Sequence, residues 1–340
     1  MSTTDKTEDQ REIRLSLIIP VYNRPSEVEE LLESLSKQTY KDFEVIIVED
    51  GSTIKCDGQV EKYSSLLNIR YFLNVKSGPG MCRNYGCEKA NGNYNVILDS
   101  DCIIPPHYVE TVQKRLTTDY VDAFGGPDNV SDDFTILQKA INYAMTSFFT
   151  TGGIRGGGEK LDKFHPRSFN MGFSKEVFET TKGFPKLRFA EDIDFTIRIF
   201  KCGFTTALIK DAYVYHKRRA DLKKFFKQVR NFGIGRINLY KRYPETLKLV
   251  HTFPALFVLG SLFLMFLSIA WSWLFILPLV FFALLLLFDS TIRNKNLHVG
   301  LLSVVACFVQ LTGYGYGFLL SYWKLVILHD KKFIEYVDSF

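Results

Sequence analysis

Cysteine is scarce and scattered: Cys56, Cys82, Cys87, Cys102, Cys202 and Cys307 are the six among 340 residues. Only Cys82 and Cys87 lie close together, which excludes a disulfide-stapled framework and leaves free thiols in a reducing compartment. The opening stretch MSTTDKTEDQREIR has no apolar core, so no signal peptide is expected and residues before 250 are expected to stay cytosolic. The formal charge is a modest +5, and nucleic acid is not expected as a partner. The most informative absence is of charge itself, since no charged residue occurs from Thr252 to Phe288.

A core helix of a soluble protein rarely stays apolar for so long. At ~1.5 Å per residue against ~30 Å of hydrocarbon, this run is long enough for two membrane crossings. They would turn near Trp271, Ser272 and Trp273, where tryptophan suits the interface. Val299 to Trp323 is long enough for a third, although Gln310 and the glycines from Gly313 to Gly317 could break it. Basic residues gather just before the first crossing, from Lys217, Arg218 and Arg219 to Lys241 and Arg242, as the positive-inside rule requires. There Leu222, Phe225, Phe226, Val229 and Phe232 share one helical face. That face is expected to lie on lipid, the alternative being an ordinary amphipathic helix packed on the domain core.

The polar part of the chain has a regular rhythm. RLSLIIP (14–20), FEVIIVED (43–50), NIRYFLN (68–74) and YNVILDSD (94–101) read as strands, and PSEVEELLESLSKQ and GPGMCRNYGCEKA between them read as helices. Strands apolar on both faces that alternate with helices predict an α/β fold with a mostly parallel sheet covered on both sides. Ligands of such sheets bind at the carboxyl ends of the strands.

That rule gathers Pro20, Tyr22, Asn23 and Arg24 after the first strand, Glu49 and Asp50 at the end of the second, and Asp99 and Asp101 at the end of a later one. Arg83, on the helix after Gly78 and Pro79, could reach the same edge. Two carboxylates one residue apart repel unless a cation sits between them, and a magnesium-like ion completes its shell with water and substrate phosphate. The set suits a nucleoside diphosphate. The plainer reading of Asp99 and Asp101 is a turn with a helix cap ahead of Pro105 and Pro106, and that of Glu191 and Asp192 is the acidic first turn of a helix. Asp194 is expected to be solvated or capping.

The segments SLIIPVYNRPSEVEELLESLSKQTYKDFEVIIVEDGST, DSD and NMGFSKEVFETTKGFPKLRFAEDIDFTIRIFKCGF resemble the family 2 glycosyltransferases of the GT-A fold, over roughly residues 14 to 240. FGGPDNV, TTGGIRGG and QVRNFGIGR are most similar to membrane-anchored bacterial enzymes of the succinoglycan-synthesis type, which build repeat units on a polyprenyl diphosphate carrier. The resemblance implies that Asp50 contacts the nucleobase with Pro20, Tyr22 and Arg24 around it. It also implies that Asp99 and Asp101 form the Asp-x-Asp motif that binds ribose and a Mg2+ or Mn2+ ion on the donor diphosphate. Glu49 stands where many relatives carry aspartate, which leaves its role open. Glu191 and Asp192 match the Glu-Asp motif whose aspartate is the usual base. Gln228 and Arg230 lack the spacing of the Gln-x-x-Arg-Trp motif of processive synthases, which counts against a polymerase.

Four candidates stand apart from this set. His216 is either a metal or diphosphate contact or a satisfied strand-end histidine. Arg155, in the glycine-rich stretch 150–160, is either an acceptor-side phosphate contact or part of an unstructured loop. Gln228 and Arg230 are assigned to the acceptor and membrane side. The expected organisation is a polar tail (1–13), a GT-A domain (14–220), a basic interface segment (221–250), a transmembrane region of two or three helices (251–328) and a C-terminal tail (329–340). The expected activity is inverting transfer from a nucleotide sugar, of the UDP-sugar class, to a hydroxyl of a polyprenyl-linked glycan at the cytosolic face of the cell membrane. Two alternatives remain: transfer to polyprenyl monophosphate, and a non-catalytic nucleotide-sensing membrane component.

Overall fold

The computed structural model describes residues 12–129, 134–152, 164–216 and 221–338. The chain divides into two compact units, the first made of Met1–Asn129, Asp162–Lys186 and Glu191–His216, the second of Val130–Leu161, Leu187–Ala190 and Lys217–Phe340. In chain order the first unit opens with β1 (Leu15–Val21), α1 (Pro25–Ser36), β2 (Phe43–Asp50), α2 (Asp57–Tyr63), β3 (Asn68–Asn74), α3 (Pro79–Lys89), β4 (Tyr94–Leu98), β5 (Cys102–Ile103), α4 (Tyr108–Thr118), β6 (Ala123–Gly125) and β7 (Asp128–Asn129). The second unit supplies α5 (Ile136–Thr146) and α6 (Phe148–Thr151). The first then resumes with β8 (Asn170–Ser174), α7 (Lys175–Thr181), α8 (Glu191–Lys201), β9 (Thr206–Leu208) and β10 (Val214–His216). The second unit ends the chain with α9 (Leu222–Arg242), α10 (Phe253–Ala270), α11 (Leu277–Asn294), α12 (Leu297–Ser321) and α13 (Lys331–Asp338).

In the first unit seven strands form one sheet in the order β3-β2-β1-β4-β8-β6-β9. The pairs β3-β2, β2-β1, β1-β4 and β6-β9 are parallel; β8 alone runs against its neighbours β4 and β6. Alternation along β1 and β2 decides which helix covers which face. Leu17, Ile19, Val45 and Ile47 point into a cluster with Val28, Leu31, Leu32 and Leu35 of α1 and Val109, Val112 and Leu116 of α4. Ile18, Ile46 and Val48 point the other way, onto Cys82 and Cys87 of α3 and Phe195 and Ile199 of α8. Each fully buried aliphatic side chain contributes ~1.5–3 kcal/mol, so this two-faced core fixes the strand register. A small second sheet, β5-β10-β7, places Cys102 opposite His216 immediately after Asp101.

The second unit is helical. Three of its helical segments, Leu249–Ala270, Trp273–Asn294 and Leu297–Ile327, are long and apolar enough to cross a membrane. The glycines that could have broken the last one do not: α12 is continuous from Leu297 to Ser321 and runs into a π-turn at Tyr322–Ile327. Glycine costs an exposed helix ~1 kcal/mol relative to alanine, but here the missing side chains let backbones approach. A Cβ on Gly313 would stand 2.6 Å from Val229 Cγ2 of α9, and one on Gly317 would collide with the Arg230 carbonyl. The apolar face of α9 is covered by protein in part: Phe225 and Val229 cluster with α5, α11 and α12, while Phe226 and Phe232 are exposed.

Candidate functional site

Because β1, β2 and β4 are parallel, their carboxyl ends share one edge, and the residues that follow each strand meet there. At the end of β2, Asp50 accepts hydrogen bonds from Ser77 N (2.7 Å) and from Gly78 N (3.0 Å). Gly78 takes a positive φ of 91°, a conformation that glycine adopts without steric cost, and α3 begins directly after it. Asp50 thus ties the end of one strand to the start of the helix that carries Arg83.

Asn23 and Glu49 shape the neighbouring loop. Asn23 Oδ1 accepts from Thr53 N (2.8 Å) and Ile54 N (2.9 Å), and Glu49 accepts from Cys56 N (2.8 Å) and from the Ser52 hydroxyl. Tyr22 is 43% exposed, with Lys76 Nζ 4.5 Å above its ring. Pro20 lies inside β1 opposite Val48.

The charged groups form an alternating series. Arg24 Nη1 lies 2.5 Å from Asp101 Oδ2. Arg83 reaches both Asp99 Oδ1, at 3.0 Å, and Glu191 Oε1, at 2.9 Å. Arg167 Nη1 lies 3.6 Å from Asp192 Oδ2. Four carboxylates therefore stand at this edge against three guanidinium groups. Burial opposes the Arg83 charge, yet Asp99, Glu191 and Asp192 outweigh it and push its pKa up. Burial raises the Glu191 carboxyl above the usual range, with Arg83 pulling against that shift and Asp192 adding to it.

Asp192 occupies the first turn of α8, where the helix dipole favours an anion; its Oδ1 accepts from Ile193 N at 2.8 Å and its side chain is 18% exposed. Asp194, expected to be solvated or capping, is instead buried and paired with Arg198 Nε at 2.7 Å, because the apolar stripe of α8 turns this position inward. Arg167 and Lys76 were not expected in the site. Arg167 stands three residues before β8, and the only signal for it was its place just ahead of NMGFS.

Asp99 and Asp101 supply hard oxygen donors of the kind that hold a magnesium-like ion alongside water and phosphate, so the donor set fits such an ion. Among the described residues no group of three or more His, Cys, Asp or Glu side chains forms a metal site. The side chain of His216 and all of Arg155 lie outside the described residues. Gln228 and Arg230 belong to the helical unit, where the Arg230 guanidinium lies 5.8 Å from the Tyr316 ring centroid and its Nε is buried without a hydrogen-bond partner.

Residues 16–182 match the family described as glycosyl transferase family 2. The chain is 29% identical over 173 residues to the GalNAc(5)-diNAcBac-PP-undecaprenol beta-1,3-glucosyltransferase of Campylobacter jejuni, a match that covers 50% of this chain and 52% of that one. It is 34% identical over 152 residues to the chondroitin synthase of Escherichia coli, covering 42% of this chain and 22% of that relative. The match thus spans about half or less of the length of these curated relatives. Among solved structures, the mannosyltransferase PcManGT of Pyrobaculum calidifontis, in complex with GDP-Man and Mn2+, is similar in fold at a TM-score of 0.61 and 18% identity, covering 88% of this chain and 87% of that one. Sheet order, the charged edge and these matches agree: residues 16–182 are a family 2 glycosyltransferase domain built on the GT-A fold.

Proposed function

We propose that the protein transfers a sugar, with inversion, from a nucleotide sugar of the UDP-sugar class to a hydroxyl of a polyprenyl-linked glycan at a membrane surface. The observation that carries this reading is the meeting of Asp99 and Asp101 with Glu191 and Asp192 at one sheet edge, joined through Arg83. Asp99 and Asp101 would hold a Mg2+ or Mn2+ ion, which when bound neutralises charge on the diphosphate leaving group. Asp192 takes the proton of the acceptor hydroxyl as that oxygen attacks the anomeric carbon. Its Oδ2 suits this role, because the contact with Arg167 is long at 3.6 Å and leaves the oxygen able to accept. One in-line displacement with one base inverts the anomeric centre. The undecaprenol-linked acceptor in the name of the Campylobacter relative supports the acceptor class, and the exposed apolar helices support the membrane. Within that class, the succinoglycan-synthesis type is the subtype favoured by FGGPDNV and QVRNFGIGR.

The test is Asp192→Asn, assayed in membranes for transfer from a panel of UDP-sugars into extractable lipid. The amide keeps the size of the carboxylate but cannot take a proton, so turnover is expected to fall ~10²–10⁴-fold while UDP-sugar affinity is kept. Turnover within a few-fold of the parent would place the base elsewhere.

A further inference from the structure

Length and composition offer α12 as a third crossing, but its neighbours do not. We infer that α12 is no crossing at all: it lies at the protein side of the membrane boundary, α10 and α11 enter the lipid, and the C-terminal tail shares a side with α9.

The first ground is the contact between α12 and the start of α10. In three successive crossings Pro254, the second residue of α10, and Gly315, deep in α12, would lie on opposite faces of the bilayer. Gly315 stands 18 residues beyond Leu297, about 27 Å of helix at 1.5 Å per residue. In the structure they touch, so closely that a Cβ on Gly315 would collide with the Pro254 carbonyl. Gly315 is therefore on the side from which α10 departs.

The second ground is α9. It runs beside the later half of α12 in the same direction: Phe226 and Val229 meet Gly313, Arg230 meets Gly317, and Ile234 and Ile237 share a cluster with Phe318 and Leu325. Along its length α9 carries Lys223, Lys224, Lys227, Arg230, Arg236, Lys241 and Arg242. A helix so charged does not sit in hydrocarbon, and neither does the one packed along it.

The third ground is α5, which covers the earlier half. Ala140, Ile141 and Ala144 cluster with Ala306 and Cys307 of α12, and the Tyr143 hydroxyl donates to Asp289 Oδ2 of α11 at 2.6 Å. In the chain α5 stands between β7 and β8, and among the described residues no helix long and apolar enough to cross a bilayer occurs before Leu249. Both halves of α12 thus touch a helix of the aqueous side, while Phe308 between them packs on Phe257 of α10 and Phe282 of α11. Exposed apolar side chains are most numerous on α10 and α11, where Leu259, Phe263, Phe266, Phe281 and Phe288 are exposed with Trp271 and Trp273 at the turn, whereas α12 exposes fewer, among them Leu301 and Val305.

The experiment compares the sides of two thiols in the full chain, in intact cells, with a membrane-impermeant maleimide. Cys202, the exposed native thiol of the sheet unit, is the marker. Lys331→Cys in a Cys202→Ser background reports the tail. Both are expected to be protected in intact cells and labelled after permeabilisation, while the chain stays in the alkali-resistant membrane fraction. Labelling of Lys331→Cys in intact cells that protect Cys202 would mean that α12 crosses and would overturn the inference. Release of the chain by alkali would overturn it too, since α10 and α11 would then not enter lipid.

Discussion

Replacing Arg83 with methionine keeps most of its volume and removes its charge from between Asp99 and Glu191. The Arg83 side chain is 5% exposed, against 13% for Glu191 and 29% for Asp99. Removing one partner of a buried pair typically costs ~3–5 kcal/mol, because the other charge is left uncompensated. Two features reduce that figure. Asp99 is exposed enough to hydrate, and Glu191, whose carboxyl burial already raises, can take up a proton. About 2–3 kcal/mol is therefore expected from the buried-pair range. At ~2–4 °C per kcal/mol for a domain of this size, that is about 4–12 °C in Tm, read by thermal denaturation of the solubilised protein. The informative arm is a cycle with Glu191→Gln: if the cost comes from the stranded carboxylate, the double variant regains stability relative to Arg83→Met, with a coupling of ~1–3 kcal/mol. Arg83→Lys should not substitute, since a single ammonium cannot span both partners. Additivity within ~0.5 kcal/mol would show that the two residues do not act as a pair and would refute the account of Arg83 as the link between strand end and helix start.

Two other outcomes follow from the same packing and electrostatics. An unfolded glutamate titrates near ~4.3, so above that pH the folded chain still holds a Glu191 proton that the unfolded chain has lost; stability should fall as pH rises through the window up to the raised folded value. Glu191→Gln should flatten that slope in Tm measured against pH, and parallel curves for the two proteins would count against the burial argument. Gly317→Val would drive a branched side chain into the Arg230 carbonyl and should cost ~1–3 kcal/mol or more, whereas Gly260→Val on α10, with nothing within 4 Å of its Cβ position, should be mild; equal effects would mean that α9 and α12 are not in close contact.

The parts of the fold legible in the sequence are those decided locally. β1, β2 and β4 announce themselves as continuous apolar runs because both of their faces are covered. β8 escapes because NMGFS is short, contains glycine and takes its direction from neighbours remote in sequence. In the site, the carboxylates were visible from their place at strand ends and in the Glu-Asp pair. Their counter-ions were visible only in part: Arg83 was expected at the edge, but its pairing with Glu191, 108 residues away, depends on how α3 and α8 cover the same sheet face. The role of the α12 glycines was open in the sequence for the same reason. Local propensity marks them as breaks, whereas the neighbours that make a missing side chain useful lie on other helices.

The reversed strand β8 has a consequence for how such a protein can change. β6 is parallel to β9 and antiparallel to β8, with Gly125 paired to Met171, so the chain leaves the sheet after β6 and re-enters at Asn170 along the same edge. The excursion between those points, which includes α5, begins and ends beside the strand ends that carry the carboxylates. An insertion, deletion or exchange there leaves the pairing of β1, β2, β3 and β4 untouched, because both of its anchors stay where they were. The fold thus separates strands β1 to β4, where a change in register would displace the strand ends that carry the carboxylates, from a later excursion whose two anchors on the sheet can stay in place while its interior changes. Any such change must still keep the side chains of α5 that pack on α12, among them Ala140, Ile141 and Ala144.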